Sequence, residues 1–205
     1  ITGASQADVG MLMVPADGNF ATSIAKGNHK ANEVQGQTRQ HARLLNLLGV
    51  KQLIIGVNKM DSDTANYSET RFNEVRDEMI NMLSRVGWKP DFVKGSVPII
   101  PISGLHGENL LSESSKMPWW KGQDVKVGSE TIHVHSVLDA LEKMARVPER
   151  PADAILRMPV SGIYKIKGVG DVITGRVEQG TVRPGEEVIF TPTHTTSNAC
   201  TGKIF

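Results

Sequence analysis

Three short apolar runs mark the first half of the chain: Val9–Pro15 (VGMLMVP), Leu53–Val57 and Val97–Ile102. Each stops at a polar or glycine-bearing loop, and unalternated runs of this length predict buried strands. Between them the spacing changes to steps of three and four. Ala42, Leu44, Leu45, Leu47 and Leu48 predict a helix over Gln37–Leu48, closed by Gly49. Phe72, Val75, Met79, Met82, Leu83 and Val86 predict a longer one over Glu69–Val86, closed by Gly87. Val137, Leu138, Leu141 and Met144 predict a third, from about Val134 to Arg146. Residues 16–36 are polar and rich in glycine, with Lys26, His29 and Lys30, and read as an excursion from the core. Buried strands alternating with amphipathic helices predict an α/β fold whose parallel sheet is covered on both faces.

The pattern breaks at Val147-Pro-Glu-Arg-Pro151, a proline-bounded linker. Beyond it, Leu156–Ile166, Asp171–Val177 and Val188–Thr191 read as short strands separated by Gly168, Gly170, Gly180 and Pro184-Gly185. No helical stripe interrupts them, so this part is expected to be the start of an all-β barrel. The expected boundaries are 1–150 for the α/β part and 151–205 for the β part. Residue 1 is Ile, and Phe205 stands within a strand-like stretch that begins at Thr201. The chain is therefore expected to be a fragment, cut at both ends.

Composition narrows the classes. Of the 205 residues, 39% are apolar and 22% charged, which is ordinary for a soluble globular protein. The net charge of +1 gives no support for nucleic-acid binding by itself, though a local basic face is compatible with it. Cys200 is the only cysteine, which excludes an internal disulfide framework and any Cys-based zinc site and fits a reducing compartment. No apolar run approaches the roughly 18 residues of a membrane span.

The sharpest chemical signal is Asn58-Lys59-Met60-Asp61, placed where the second strand ends. Ligands of open α/β sheets bind at the carboxyl ends of the strands. Guanine presents two donors on one edge, N1–H and the N2 amine. A carboxylate with two acceptor oxygens matches that edge, which adenine lacks. Asp61 is the candidate reader, with the Lys59 stem lying along the base plane. Asn58 can tie loops together and reach N7. Alone this tetrapeptide is equally a surface turn. A second signal favours guanine: Ser103-Gly104-Leu105 follows the third strand directly. There the Gly104 and Leu105 amides can donate to guanine O6, and the Ser103 hydroxyl can buttress Asp61.

With these motifs in place the chain resembles the translation elongation factor 1-alpha family over essentially all its residues. The shared strings include Ile1–Asp8, Gly36–Ala42 (GQTRQHA), Leu48–Leu53 (LGVKQL), Tyr164–Gly170 (YKIKGVG), Gly175–Gly180 (GRVEQG) and Pro184-Gly185. The longer Asp17–Gly36 segment, and Leu105 where the family usually has Trp, are similar to its elongation factor-like branch. The resemblance implies a P-loop-type G domain followed by the start of the second, β-barrel domain. It also implies a cytoplasmic, monomeric GTPase that cycles between GTP and GDP, delivers aminoacyl-tRNA to the ribosome, and is recharged by a guanine nucleotide exchange factor. The cofactor-binding residues carried over are Asn58, Lys59, Asp61, Ser103, Gly104 and Leu105. No G-x-x-x-x-G-K-[ST] loop occurs in these residues. The Mg²⁺ ligands and the hydrolytic histidine are expected before Ile1, so no catalytic residue is assigned and the fragment is expected to be inactive alone.

Other features carry plainer alternatives. Gly168 to Glu178 resembles the barrel strand facing the tRNA acceptor end, but its glycines serve a hairpin equally well. Arg39 and His41 are expected at a solvated or interface position. His133 and His135 are read as surface histidines rather than metal ligands, and Trp119-Trp120 as loop packing rather than base stacking. Two competing functions stay open: a release-factor-like or ribosome-rescue GTPase with the same guanine loops, and an RNA-binding scaffold in which nucleotide binding is vestigial.

Overall fold

The computed structural model describes residues 2–28 and 34–204; His29 and Lys30 lie outside the described residues. The chain divides into two compact units, Ile1–Val147 and Pro148–Phe205.

In the first unit, α1 (Thr2–Ser5) leads into β1 (Val9–Pro15), then α2 (Phe20–Ile24), α3 (Gln37–Leu47), β2 (Gln52–Asn58), α4 (Glu69–Arg85), α5 (Pro90–Ser96) and β3 (Ile99–Pro101). The three strands form a parallel sheet with β2 in the middle. Register runs from Val9 opposite Gln52 to Pro15 opposite Asn58, and Ile55 stands opposite Ile99. Parallel alignment brings all three strand ends, and so all three following loops, to one edge of the sheet. Leu53 to Val57 are all buried, as a central strand requires. β1 departs from the expectation of burial on both faces. Leu12 and Val14 are buried, but Met11 and Met13 are 40% and 43% exposed, because β1 lies at the sheet edge and its second face is only partly covered.

α4 follows its predicted stripe: Phe72, Val75, Met79, Met82 and Leu83 are buried. Ser68 caps it by accepting from the Arg71 N–H, while Glu69 and Arg85 complement the dipole at either end. The excursion is tied back at its far end. Gly36 donates its N–H to the Ala25 carbonyl, and a Cβ at Gly36 would meet the Ser23 carbonyl oxygen at 2.2 Å, so only glycine lets the backbones approach.

The helix expected from Val134 is corrected. Gln123–Val127 and Glu130–Val134 form an antiparallel hairpin, β4–β5, joined by Gly128-Ser129. Val134 therefore belongs to a strand, where it is fully buried. Helix α6 begins only at Val137, runs to Asp139, and widens over Ala140–Met144 into π geometry, with the Ala145 N–H donating to the Ala140 carbonyl. Its start is a capping box. The Ser136 hydroxyl accepts from the Asp139 N–H, and the Asp139 carboxylate accepts from the Ser136 N–H. Ser136→Ala is expected to lower stability by about 1 kcal/mol in urea denaturation followed by tryptophan fluorescence. The Asp139 carboxyl is held below its ordinary value, first by the Lys143 ammonium and then by the His135 and Ser136 amides, against burial. Its share of stability is thus present at pH above about 4 and lost as pH falls through the depressed folded value.

The second unit is all-β. β6 (Val160–Ile166) and β7 (Gly170–Gly175) form one antiparallel hairpin; β8 (Glu187–Ile189) and β9 (Thr201–Lys203) form another pair. Gly168 and Gly170 take φ of 86° and 103° in the β6–β7 turn, so the hairpin requires them whatever else they do. Among the described residues no helix is long and apolar enough to cross a membrane.

Candidate functional site

Asn58 ends β2, and its side chain organises the turn that follows. Asn58 Oδ1 accepts from the Lys59 N–H at 2.8 Å and from the Gly104 N–H at 2.9 Å, joining the loop after β2 to the loop after β3. Lys59 sits in the left-handed region, with φ of 64°. That conformation turns the chain sharply and is sustained by the flanking bonds. Met60 is fully buried; its N–H donates to the Ile102 carbonyl, and its carbonyl accepts from the Tyr67 N–H. With Met60 anchored inward, Asp61 is presented half-buried at the rim.

The buried Ser103 hydroxyl donates to Asp61 Oδ1 at 2.5 Å. Ser103 Oγ in turn accepts from the His106 N–H at 3.2 Å, which directs the hydroxyl proton toward Asp61. Residues 42 apart in sequence thus meet at one edge of the sheet. Paired backbone bonds between Ser103 and Glu108, at 3.1 and 3.2 Å, close the loop.

The expected O6 donors are not equivalent. The Gly104 N–H is engaged by Asn58, so Leu105, whose side chain is 79% exposed, carries the unengaged amide of the pair. The Tyr67 phenol is pushed up, first by burial and then by the charges of Asp61 and Glu108.

Three residues at this edge escaped the sequence reading. Lys59 Nζ pairs with Asp17 Oδ2 at 2.8 Å. Arg71 donates from Nε to the Ala16 carbonyl and from Nη2 to the Asp17 carbonyl. Asn109 is buried with φ of 55°; its Nδ2 donates to the Pro101 carbonyl and its Oδ1 accepts from the Ser114 N–H, bracing the end of β3. Asp17 carried a signal, since it follows a buried strand in Ala-Asp-Gly; Arg71 and Asn109 carried none.

Trp119 and Trp120 pack on Phe72, with ring centroids 5.4 and 5.5 Å away, and donate their Nε1–H to the carbonyls of Tyr67 and His135. They brace the helix behind the site and are not laid open for stacking. His133 faces Asp124 across the hairpin at 2.7 Å. Arg39 reaches the Ile24 carbonyl, and His41 is exposed. Among the described residues no three His, Cys, Asp or Glu side chains converge as a metal site.

The profile of the Elongation factor Tu GTP binding domain matches residues 1–147. The chain belongs to this family. It is a translational GTPase of the elongation factor 1-alpha type in fold, with a GTP-binding G domain. Solved structures of Sup35 complexed with GDP and with GMPPNP are 30% identical to it. Each aligns over 93% of this chain with a TM-score of 0.56. The chain spans 41% of the length of those structures.

Proposed function

We propose that this translational GTPase reads guanine with Asn58, Lys59, Asp61 and the Ser103-Gly104-Leu105 loop, and that the full-length protein delivers aminoacyl-tRNA to the ribosomal A site. Residues 1–150 are assigned to the G domain and 151–205 to the start of barrel domain 2. The observation that carries the guanine reading is the Ser103–Asp61 hydrogen bond. It fixes one carboxylate oxygen against the loop, with a lone pair left for guanine N1–H, and leaves the other at the rim to accept from the N2 amine. Asn58 Nδ2 reaches N7, and the Leu105 amide, with Gly104 behind it, donates to O6. When GTP is bound, its phosphates and Mg²⁺ supply the hydrolytic chemistry; the residues described orient the base and exclude adenine.

Delivery of aminoacyl-tRNA is supported by the elongation-type strings that run through both units, from Gly36–Ala42 to Gly175–Gly180. The protein acts in the cytoplasm as a monomer and needs an exchange factor to shed GDP. In the GTP form, the full-length protein is expected to protect the aminoacyl ester of charged tRNA from hydrolysis, and in the GDP form to lose that protection. Equal binding of charged and deacylated tRNA would refute delivery and favour a release-factor-like role. Equal affinity for GTP and ATP would leave only the scaffold reading.

A further inference from the structure

We propose that Asp17 is a positioning residue for base recognition, holding the Lys59 side chain across the face of the base. The inference rests on the reading of Lys59 as a base contact and adds what sets the geometry of that contact.

A lysine stem has four rotors and no fixed direction of its own, so an unconstrained Lys59 would have to be ordered each time a nucleotide bound. Here both ends are held before any ligand arrives. The backbone is fixed in the left-handed region, with the Lys59 N–H donating to Asn58 Oδ1. The ammonium is fixed 2.8 Å from Asp17 Oδ2. Between these anchors the methylene stem spans the gap between the loop after β1 and the loop after β2.

Asp17 is itself a rigid anchor. Its side chain is only 16% exposed, against 53% for Lys59. Its Oδ1 accepts from the Asn19 N–H at 2.9 Å and its Oδ2 from Asn19 Nδ2 at 3.2 Å. The Arg71 guanidinium holds the Ala16 and Asp17 carbonyls at 2.9 and 3.3 Å, lies 5.7 Å from the centre of the Phe20 ring, and pairs with Glu74. The Ala16 N–H donates to the Asn58 carbonyl at 2.7 Å, which ties the anchor to the first residue of the recognition tetrapeptide. An exposed ion pair adds little to stability. Its effect here is to spend the ordering cost of Lys59 during folding and not during binding. The Asp17 carboxyl is held below its ordinary value by the Lys59 ammonium first and by Asn19, against burial, so the anchor stays charged across the neutral range.

A double-mutant cycle in the full-length protein tests this, with GTP and GDP affinities read by isothermal titration. Asp17→Asn keeps Oδ1 for the Asn19 N–H and removes the charge that holds Lys59, together with the Oδ2 acceptor of the weaker Asn19 Nδ2 bond. Lys59→Ala is expected to weaken both nucleotides about tenfold, and Asp17→Asn about threefold. The double variant is expected to bind as Lys59→Ala alone does, because Asp17 acts only through Lys59. Multiplicative losses would overturn the proposal, as would wild-type affinity in Asp17→Asn beside a weakened Lys59→Ala. If Lys59→Ala binds both nucleotides as wild type does, the base-contact reading falls and this inference with it. Thermal melting of each variant separates misfolding from lost positioning: a structural role alone moves the melting temperature without the non-additivity.

Discussion

Asp61→Asn in the full-length protein is expected to lose GTP by at least about tenfold while gaining affinity for xanthosine triphosphate. The structure determines which atom changes character. Ser103 Oγ already accepts from the His106 N–H, so its proton points at Asp61 Oδ1, and an asparagine at 61 keeps its carbonyl oxygen there. The new amine then stands at the rim in place of the second carboxylate oxygen. Against guanine it faces the N2 amine, donor to donor. One charge-assisted hydrogen bond is lost and a repulsive contact appears. Leaving such a group unpaired costs roughly 1–3 kcal/mol, and about 1.4 kcal/mol is already a factor of ten. Xanthine carries a carbonyl oxygen where guanine has that amine, so the same substitution creates a bond to it. Competition binding of GTP, XTP and ATP to wild type and variant is the measurement. GTP affinity equal to wild type in Asp61→Asn would remove Asp61 as the guanine reader.

The isolated 205 residues are expected to bind GTP no tighter than about the millimolar range and not to hydrolyse it. Base recognition supplies a few hydrogen bonds, each worth about 0.5–1.5 kcal/mol net, or about 1.5–3 kcal/mol where Asp61 is the acceptor. Immobilising the ligand costs about 4–15 kcal/mol, so the base edge alone leaves little surplus. Nucleoside triphosphates are held chiefly through their phosphates, by backbone N–H groups, a lysine and Mg²⁺. No phosphate-loop sequence occurs in this chain, and the described residues assemble no metal cluster. Isothermal titration with GTP and Mg²⁺ checks this; micromolar binding would mean that phosphates are held by groups not recognised here.

Between these two outcomes lies the division of labour within the site. In the proposed reading the guanine edge meets side chains on two loops that a parallel sheet sets side by side. Selectivity therefore depends on the β2–β3 register as much as on Asp61. Asn109, bonded to Pro101 and Ser114, and Arg71, gripping the loop after β1, hold these loops in place.

Much of this was legible in the sequence because it is written locally. Apolar runs and three-to-four-residue stripes state which faces must leave water, and β1, β2, β3, α3 and α4 lie where those patterns put them. The Asn58–Asp61 tetrapeptide and Ser103-Gly104 were visible as residue types at strand ends. The β4–β5 hairpin was legible too, in the Gly128-Ser129 turn between Val125/Val127 and Ile132/Val134, but each strand offers only two alternating apolar positions, so the hydrophobic pattern is short. Likewise Ser136 and Asp139 spell a capping box that would have started α6 after Val134.

What only the tertiary structure decided are the partners. Periodicity tells a residue which way to face but not what it will meet. Asp17 and Lys59 lie 42 positions apart, and Arg71 and Ala16 lie 55 apart. Which amide of Gly104 and Leu105 is left for a ligand depends on where Asn58 Oδ1 lands, and that follows from the β2–β3 register. Hydrogen bonds are directional and short, so they form only where folding has already brought donor and acceptor within about 3 Å. The sequence set the faces by burial; the packed sheet set the site by proximity.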